Sequence, residues 1–464
     1  MLKLKVAVPV TLVVAAAVVV AVLVRANTPQ TAPAAPEVGP LCGGRFRTCG
    51  QGFAGYGWSV RPGTLKALTD ALKPMQQAPA EPDITFVFYS AGHNPEAVAK
   101  ALRRLPGGSR RMCGWSSDRG VIAPDGYHAS PDGVVGVLSF RLPGLRAGVG
   151  SAEFDETDSP GSSAALALRR AIQDAGMQPG DSQPRMIVMS TTYHGYEELV
   201  LKALDAETGG AVPIMGGTAA GNPAKGLPQG AVIANGKALR KGLVISVFYS
   251  GRPFRWAFRG GFIRTSKSGL VTAVEAKGRV IREIDGRPAL DVYDEWSGGR
   301  VAEAIRAGID MNTFTGLYPL CRMLGSGNAA HNLFVHVWPA PDAAVSRSLV
   351  ASARVAEGDE VYFSEGSWNI LLNHIGALAR DAKADRAEVP LGAALFICCE
   401  AVLKNIPAQQ RNQISYLLNK SLGDAPWIGP FTWGEQGNFP GVGNYHGNVL
   451  TSVTLFPGSA GCSE

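Results

Sequence analysis

The sequence predicts an α/β or α+β fold with two lobes, built of mixed sheets with covering helices and preceded by an N-terminal transmembrane or signal helix. The first observation is an apolar run near the N-terminus. The second is that, from Asp83 onward, apolar runs of strand length alternate with segments of helical periodicity. The third is that the pattern restarts near Gly260 with a hairpin. Hydrophobic residues make up 46% and charged residues 18% of the chain, which excludes a disordered protein.

The N-terminal segment has the charge order and length of a membrane anchor. Lys3 and Lys5 precede an apolar run over residues 6–24, which is about the length that a helix needs to cross a bilayer. Positive residues in front of such a run hold the N-terminus in the cytoplasm. We therefore expect residues 1–26 to place the protein in the cell membrane, single-pass, with the bulk of the chain extracytoplasmic (periplasmic). The alternative is a signal peptide cleaved near Ala26, which would give a secreted protein.

Residues 27–82 are predicted to form a proline-rich linker and then a glycine- and cysteine-rich cap. Cys42 and Cys49 enclose a short glycine-rich segment, and in an oxidising compartment we expect them to form a disulfide. The seven cysteines show no zinc-ligand spacing, so no metal site is predicted. No run of Lys or Arg is longer than a pair, which argues against a nucleic-acid partner despite the net charge of +6.

The first lobe is predicted over residues 83–260. Asn94 and Pro95 have the residue types of a helix N-cap and first position, and an apolar strand precedes them. Elsewhere in this lobe, β-rich apolar runs predict strands and amphipathic segments predict helices. The strands are expected at residues 84–89, 134–140, 185–190, 231–234 and 243–249, and further helices at residues 162–175 and 197–204.

The second lobe is predicted over residues 261–456, followed by a tail over residues 457–464. Residues 271–275 and 279–284 alternate between apolar and polar side chains and flank a Lys-Gly turn, which predicts a hairpin. Pro288 then begins a helix. Later strands are expected at residues 333–337, 360–363, 393–398 and 449–456, and later helices at residues 368–379 and 410–419.

Four groups of residues carry a resemblance to a known family. Small-residue turns occur at residues 113–120 and 213–220, and residues 278–293 form the most specific match. The fourth group is the strand at residues 395–398 with the aromatic loop at residues 429–435, followed by Asn448. In this order and spacing the segments resemble the N-terminal and C-terminal halves of the FIST family, over roughly residues 83–456.

The resemblance implies a sensor of small ligands, for example amino acids, rather than an enzyme. We find no kinase, cyclase or receiver pattern, so the resemblance also implies a signalling protein partner. One departure concerns the arginine that the family places three residues after the motif cysteine, because this chain has Ala401 there. Some members of the family resemble haem-based gas sensors, so haem stays open as an alternative to a site without a cofactor.

The predicted ligand site combines small residues at strand ends with an acidic aromatic loop. Backbone N–H groups and hydroxyls at such turns can bind an anionic group, and a carboxylate beside tryptophans suits a cation. The alternative for the turns is a purely structural role, and for the glutamate a place in solvent. The site is predicted to comprise Ser116, Ser117, Gly216, Gly217, Thr218, Cys398, Trp433, Gly434 and Glu435.

The second function class that stays open is a thiol-dependent hydrolase or transferase. Its nucleophile would be Cys398, and its base would be His374 or His446. The sequence does not place either histidine beside the cysteine, and a structural cysteine in a buried strand is the favoured interpretation of Cys398. We therefore assign no catalytic residue from the sequence.

Overall fold

The computed structural model describes residues 40–155, 159–178, 180–327, 330–384 and 389–459. The predicted anchor, most of the linker and the end of the tail lie outside these residues. Within the described ranges, no helix combines the length and the apolar character needed to span a bilayer. The chain divides into two units between Leu41 and Cys42, and the described strands and helices belong to the unit that begins at Cys42.

Strands and helices alternate along the described chain, as the apolar periodicity predicts. The strands of the first half are β1 Cys42–Cys49, β2 Gly52–Ser59, β3 Ile84–Tyr89, β4 Met112–Ser116, β5 Val121–Ala123, β6 Gly126–His128, β7 Val135–Arg141, β8 Leu145–Glu153, β9 Met186–Thr191, β10 Ile214–Gly217, β11 Val232–Ala234, β12 Lys237–Leu239 and β13 Gly242–Ser250. Those of the second half are β14 Arg255–Arg259, β15 Ile263–Glu275, β16 Val280–Ile284, β17 Arg287–Pro288, β18 Leu320–Leu324, β19 His331–Val335, β20 Val337–Pro339, β21 Leu349–Ala351, β22 Glu360–Glu365, β23 Leu391–Cys399, β24 Trp427–Thr432, β25 Glu435–Phe439, β26 Gly443–Gly447 and β27 Thr451–Pro457.

The helices cover these sheets. They are α1 Thr64–Leu72, α2 Pro95–Leu102, α3 Pro160–Asp174, α4 Glu197–Thr208, α5 Ala289–Ser297, α6 Arg300–Arg306, α7 Met311–Thr315, α8 Ala343–Ser346, α9 Trp368–Ala384, α10 Glu400–Lys404 and α11 Asn412–Leu422. The start of α2 follows its predicted chemistry, because the Asn94 side chain accepts a hydrogen bond from the Ala97 N–H at 2.9 Å.

The described strands form four sheets, two of which contain strands from both halves of the chain. One has the order β26-β25-β10-β9-β13-β8, so that the late hairpin β25–β26 extends a sheet of early strands. The other has the order β14-β27-β23-β24-β5-β6, so that the early hairpin β5–β6 extends a sheet of late strands. The remaining two sheets have the orders β1-β2-β7-β3-β4-β11-β12 and β19-β18-β22-β15-β16-β21-β20. The fold is therefore a mixed α/β arrangement in which each half completes a sheet of the other.

The two halves also share a hydrophobic core. Phe456 of β27 packs against Phe140 of β7 with ring centroids 4.8 Å apart, and both rings contact Phe86 of β3. All three side chains are fully buried. Large aromatic side chains contribute strongly to burial, so this contact stabilises the association of the two halves.

The predicted disulfide between Cys42 and Cys49 is wrong, because the two residues lie at opposite ends of β1. A strand of eight residues spans roughly 23 Å, whereas the Cα atoms of bridged cysteines lie within about 7 Å of each other. Cys42 is a free thiol. The glycine-rich cap is not a closed loop but an antiparallel hairpin, in which β1 pairs with β2 at the edge of a sheet.

Candidate functional site

Ser116 at the end of β4 and Ser117 directly after it form hydrogen bonds to backbone groups of other segments, and Ser117 reaches the second half of the chain. The Ser117 hydroxyl accepts a hydrogen bond from the Phe431 N–H at 2.8 Å, and the Asp118 N–H donates to the Phe431 carbonyl at 3.0 Å. The Ser116 hydroxyl donates to the Ala220 carbonyl at 2.6 Å. Both hydroxyls are buried and serve neighbouring backbone groups.

The glycine-containing turn after β10 meets the loop between β24 and β25. Gly217 lies opposite Glu435 in the antiparallel pairing. A Cβ atom at Gly217 would lie 2.4 Å from Thr432 Cγ2, so glycine is needed for this close approach. The next residue adds two backbone hydrogen bonds, since the Thr218 N–H donates to the Gly434 carbonyl at 2.8 Å and the Trp433 N–H donates to the Thr218 carbonyl at 3.1 Å.

Glu435 is fully buried where these segments meet. Its carboxyl group accepts a hydrogen bond from the Thr432 hydroxyl at 2.8 Å and another from the Leu450 N–H at 3.1 Å. Burial raises the pKa of Glu435 to about 8, although the hydrogen bonds from Thr432 and Leu450 oppose the shift. The carboxyl group is therefore protonated at neutral pH and acts as a neutral part of the interior.

The predicted site segments thus come together in the structure. We call residues 116–118, 216–218 and 431–436 the strand junction. It is held by hydrogen bonds between the two halves of the chain. Ligand binding by its small residues, the role that the sequence suggested, stays a prediction.

A cavity of about 260 Å³ lies beside the strand junction and takes residues from both halves of the chain. Trp433 is the residue of the predicted site that lines it, and Cys399 lines it in place of its neighbour Cys398. The lining does not include the other members of the predicted site, which are Ser116, Ser117, Gly216, Gly217, Thr218, Gly434 and Glu435. The other lining residues are Asp118, Tyr193, Asn312, His336, Trp338, Ser352, Glu400, Ala401, Lys404, Thr432 and Asn448.

One part of the cavity wall is a cluster of charges. The Glu400 carboxylate lies 2.6 Å from Lys404 Nζ and 2.9 Å from Arg119 Nε, and its side chain is 5% exposed. Asp118 lies next to Glu400, and burial together with this second carboxylate raises the pKa of Asp118. The cluster therefore places a cation, Lys404, and two carboxyl groups at the cavity wall, where Lys404 and Glu400 form an ion pair with each other.

A second part of the wall is aromatic. The rings of Tyr193 and Trp433 pack edge to face with centroids 5.5 Å apart, which joins the two halves of the chain across the wall. The rings of His336 and Trp338 also pack against each other, with centroids 5.3 Å apart. Burial lowers the pKa of His336 to about 4, so this imidazole is neutral at physiological pH.

Lys404 supplies a positive charge near the position where the family has an arginine and this chain has Ala401. Ala401 and Lys404 both line the cavity, and they lie three residues apart on α10. A cation is thus present one turn from the position where the family's arginine was expected. Glu400 and Lys404 could not be predicted as site residues from the sequence, because each is a single charged residue without a motif of its own.

Cys398 lacks the surroundings of a nucleophile. Its thiol is fully buried and contacts the Cys399 carbonyl at 3.5 Å, and burial raises its pKa well above the ordinary value. His374 Nε2 is instead within hydrogen-bond distance of the Arg259 carbonyl and the Thr451 hydroxyl, and His446 Nδ1 pairs with Gln436. A reactive thiolate needs a nearby base and a lowered pKa, so the geometry gives the hydrolase alternative no support.

The lining of the cavity contains one histidine that bears on the haem alternative. It is His336, whose Nε2 atom lies 3.1 Å from the Thr315 hydroxyl. An axial ligand needs a nitrogen free for the iron. Among the described residues, no cluster of three His, Cys, Asp or Glu side chains could hold a metal ion. We derive no chemistry through a cofactor.

Comparison with known proteins supports the resemblance seen in the sequence. Residues 83–287 match the FIST N domain and residues 289–438 match the FIST C domain. Among curated proteins, no relative matches the chain. The chain is similar to the crystal structure of cyanuric acid hydrolase from A. caulinodans with 9% identity and a TM-score of 0.32, covering 90% of this chain and 99% of that one. At this TM-score the structural similarity carries no argument about function. The two domain matches lie in sequence order and together cover more than half of the chain, which therefore belongs to the family of FIST proteins.

Proposed function

We propose that the protein is a non-enzymatic sensor that binds a compact zwitterion of the amino-acid type in the cavity beside the strand junction. The observation that carries the proposal is that one small cavity contains both Lys404 and the carboxyl pair Asp118 and Glu400. FIST domains are in general sensor and ligand-binding domains, which agrees with this assignment.

The size and chemistry of the cavity favour a small, charged ligand. Its volume of about 260 Å³ is slightly below that of most ligand pockets, which run from roughly 300 to 1,000 Å³, so the ligand should be small. Lys404 would attract a carboxylate, and Asp118 with Glu400 would attract an ammonium group. Trp433 and Trp338 offer ring surfaces for the apolar part of the ligand.

The position of the cavity suits a sensor. Asp118 and Tyr193 come from the FIST N domain, whereas Glu400, Lys404 and Trp433 come from the FIST C domain. A ligand that contacts both domains would favour one arrangement of the halves over others by its differential affinity. We propose that a partner protein detects this change.

We also propose an extracytoplasmic location with anchoring through residues 6–24, on the basis of the apolar run alone.

The proposal is tested by isothermal titration of the purified protein with the standard amino acids. We expect at least one to bind, and we expect Lys404→Met to weaken that binding at least tenfold, because a hydrogen bond to a charged group contributes about 1.5–3 kcal/mol. Lys420→Met is the matched control, since Lys420 is exposed on α11 and does not line the cavity. Lack of binding by every amino acid would contradict the proposal, as would equal losses in the two variants.

A further inference from the structure

Cys49 is a buried cysteine at the end of β1 that is not a free thiol. It has no exposed surface and is disulfide-bonded. The free thiols of the described residues are Cys42, Cys113, Cys321, Cys398 and Cys399. Because the sequence contains seven cysteines, the one that remains as a partner for Cys49 is Cys462. Elimination therefore indicates a bridge between the first strand and the segment that follows β27.

The chain that leads to Cys462 passes directly beside Cys49. The Ser459 hydroxyl donates a hydrogen bond to the Cys49 carbonyl at 3.0 Å, and the Gly458 N–H donates to the Pro390 carbonyl at 2.7 Å. Cys462 lies outside the described residues, three positions beyond Ser459. Three residues span up to about 10 Å, and the Cα atoms of bridged cysteines lie within about 7 Å of each other. The contact at Ser459 therefore brings Cys462 within reach of Cys49.

Two of the free thiols share a sheet with Cys49 but lie beyond bridging distance of it. Cys42 is at the opposite end of β1, roughly 23 Å away along the strand. Cys113 is on β4, and three strands separate β4 from β1 in the sheet order. At about 4.8 Å per strand spacing this separation is roughly 19 Å. Neither thiol competes with Cys462 while the sheet is intact.

We propose that Cys49 and Cys462 form a structural disulfide that fastens the edge strand β1 to the segment after β27. The bridge links the two halves of the chain, because β1 pairs with the early strand β2 whereas Cys462 follows a late strand. Disulfides persist in oxidising compartments, which agrees with the extracytoplasmic location proposed above. The inference does not depend on the proposed ligand.

Formation of the bridge needs a disulfide as oxidant, and oxidised glutathione serves as that oxidant in the test. The thiolate of one cysteine attacks the glutathione S–S bond, forms a mixed disulfide and releases one glutathione thiolate. The thiolate of the other cysteine attacks the mixed disulfide, forms the bond between Cys49 and Cys462 and releases the second glutathione. The cysteines thus lose two protons and two electrons, and the glutathione disulfide gains them as two thiols.

The test maps the thiols of the purified full chain after reduction and then equilibration in an oxidising glutathione buffer. N-ethylmaleimide blocks the remaining thiols under denaturing conditions, and peptide masses are measured without reduction. We expect one cross-linked pair of peptides, of which one contains Cys49 and the other Cys462, and we expect reduction to separate them. The pair should be absent from Cys462→Ser. It should persist in Cys42→Ser, the matched control, because Cys42 is a free thiol.

Thermal unfolding then distinguishes a structural bridge from an incidental one. Addition of reductant should lower the unfolding midpoint of the oxidised wild-type protein by roughly 5 °C, because the cross-link constrains the unfolded chain. Cys42→Ser should show the same shift, and Cys462→Ser should show none. Alkylation of both Cys49 and Cys462 in the oxidised, folded protein would overturn the inference. A bridge from Cys49 to another cysteine or to a second copy of the chain would do the same, as would an unchanged midpoint on reduction of the wild-type protein.

Discussion

The strand junction and the wall of the adjacent cavity share Asp118, Thr432 and Trp433, but most of their other polar groups differ in whether the protein satisfies their hydrogen bonding. In the junction, the buried Glu435, Ser117 and Thr218 have hydrogen-bond partners within the protein. In the wall, Asn448 has no partner among the described residues, and Glu400 and Asp118 crowd two carboxyl groups together. Gln436 Oε1 is the exception in the junction, since it has no partner among the described residues. Most of the junction thus has the features of a stable interior, whereas the wall contains crowded carboxyl groups and an unpaired carboxamide.

This difference shows which residues a family motif reveals. The small residues and the glutamate that recur in the motif hold the two halves together at the junction. Residues that face the cavity, such as Lys404, have no such signature. We therefore expect stability and the proposed ligand binding to depend on different side chains, so that substitutions should separate the two properties.

The largest change in the free energy of unfolding is expected from Glu435→Ala in the junction. The substitution leaves the buried Leu450 N–H without its acceptor, leaves the Thr432 hydroxyl only its longer hydrogen bond of 3.3 Å to the Cys398 carbonyl, and opens a cavity. We expect the free energy of unfolding to fall by roughly 3 kcal/mol at pH 6, because each unsatisfied buried group costs about 1–3 kcal/mol. Denaturant unfolding measures the change. Glu207→Ala is the control, since Glu207 is an exposed residue of α4. A loss no larger than that of the control would contradict the structural role of Glu435.

A smaller change is expected in how the free energy of unfolding depends on pH. The folded-state pKa of Glu435 is about 8, above the value of 4.5 for the free group. Between these values the unfolded chain is ionised at this residue while the folded protein keeps its proton, so stability falls as pH rises. Between pH 6 and pH 8 the wild-type protein should therefore lose about 2 kcal/mol relative to Glu435→Gln, which cannot ionise. Parallel stability profiles of the two proteins over this range would show that Glu435 does not titrate as inferred.

The smallest expected change in stability is an increase, and it should follow from a substitution in the cavity wall. Asn448→Leu replaces an unpaired buried carboxamide with an apolar side chain of similar size. We expect the free energy of unfolding to rise by about 1 kcal/mol, because the cost of an unsatisfied polar group is removed. Thermal and denaturant unfolding without ligand measure it. A decrease in stability would place Asn448 with the junction residues and erase the contrast between the two regions.

The sequence predicted the local structure well where periodicity and end signals coincide. The apolar run at residues 84–89 is strand β3, Asn94 caps α2, and the predicted hairpin corresponds to β15 and β16. These features depend on neighbouring residues, so the chain carries the information locally.

The pairing of strands that are far apart in the sequence could not be predicted. Nothing local indicates that β5 pairs with β24 or that β10 pairs with β25. The Cys42–Cys49 prediction failed for a related reason, since the glycine-rich segment between them is an extended strand. The cavity residues Glu400 and Asn448 were not identified as site residues, because a single polar side chain acquires its role from neighbours that only the fold supplies.

Because each domain contributes a hairpin to a sheet of the other, we expect the two domains to depend on each other for folding. If the chain were cut near residue 288, the FIST N fragment would lose the strand β25 that covers β10, and the FIST C fragment would lose the strand β5 that covers β24. Each fragment would then expose an unpaired strand edge, which is a template for aggregation. The two domains should accordingly fail to fold when expressed separately. When they are produced together as two polypeptides, each fragment supplies the strand that the other lacks, and we expect them to reassemble into a single particle.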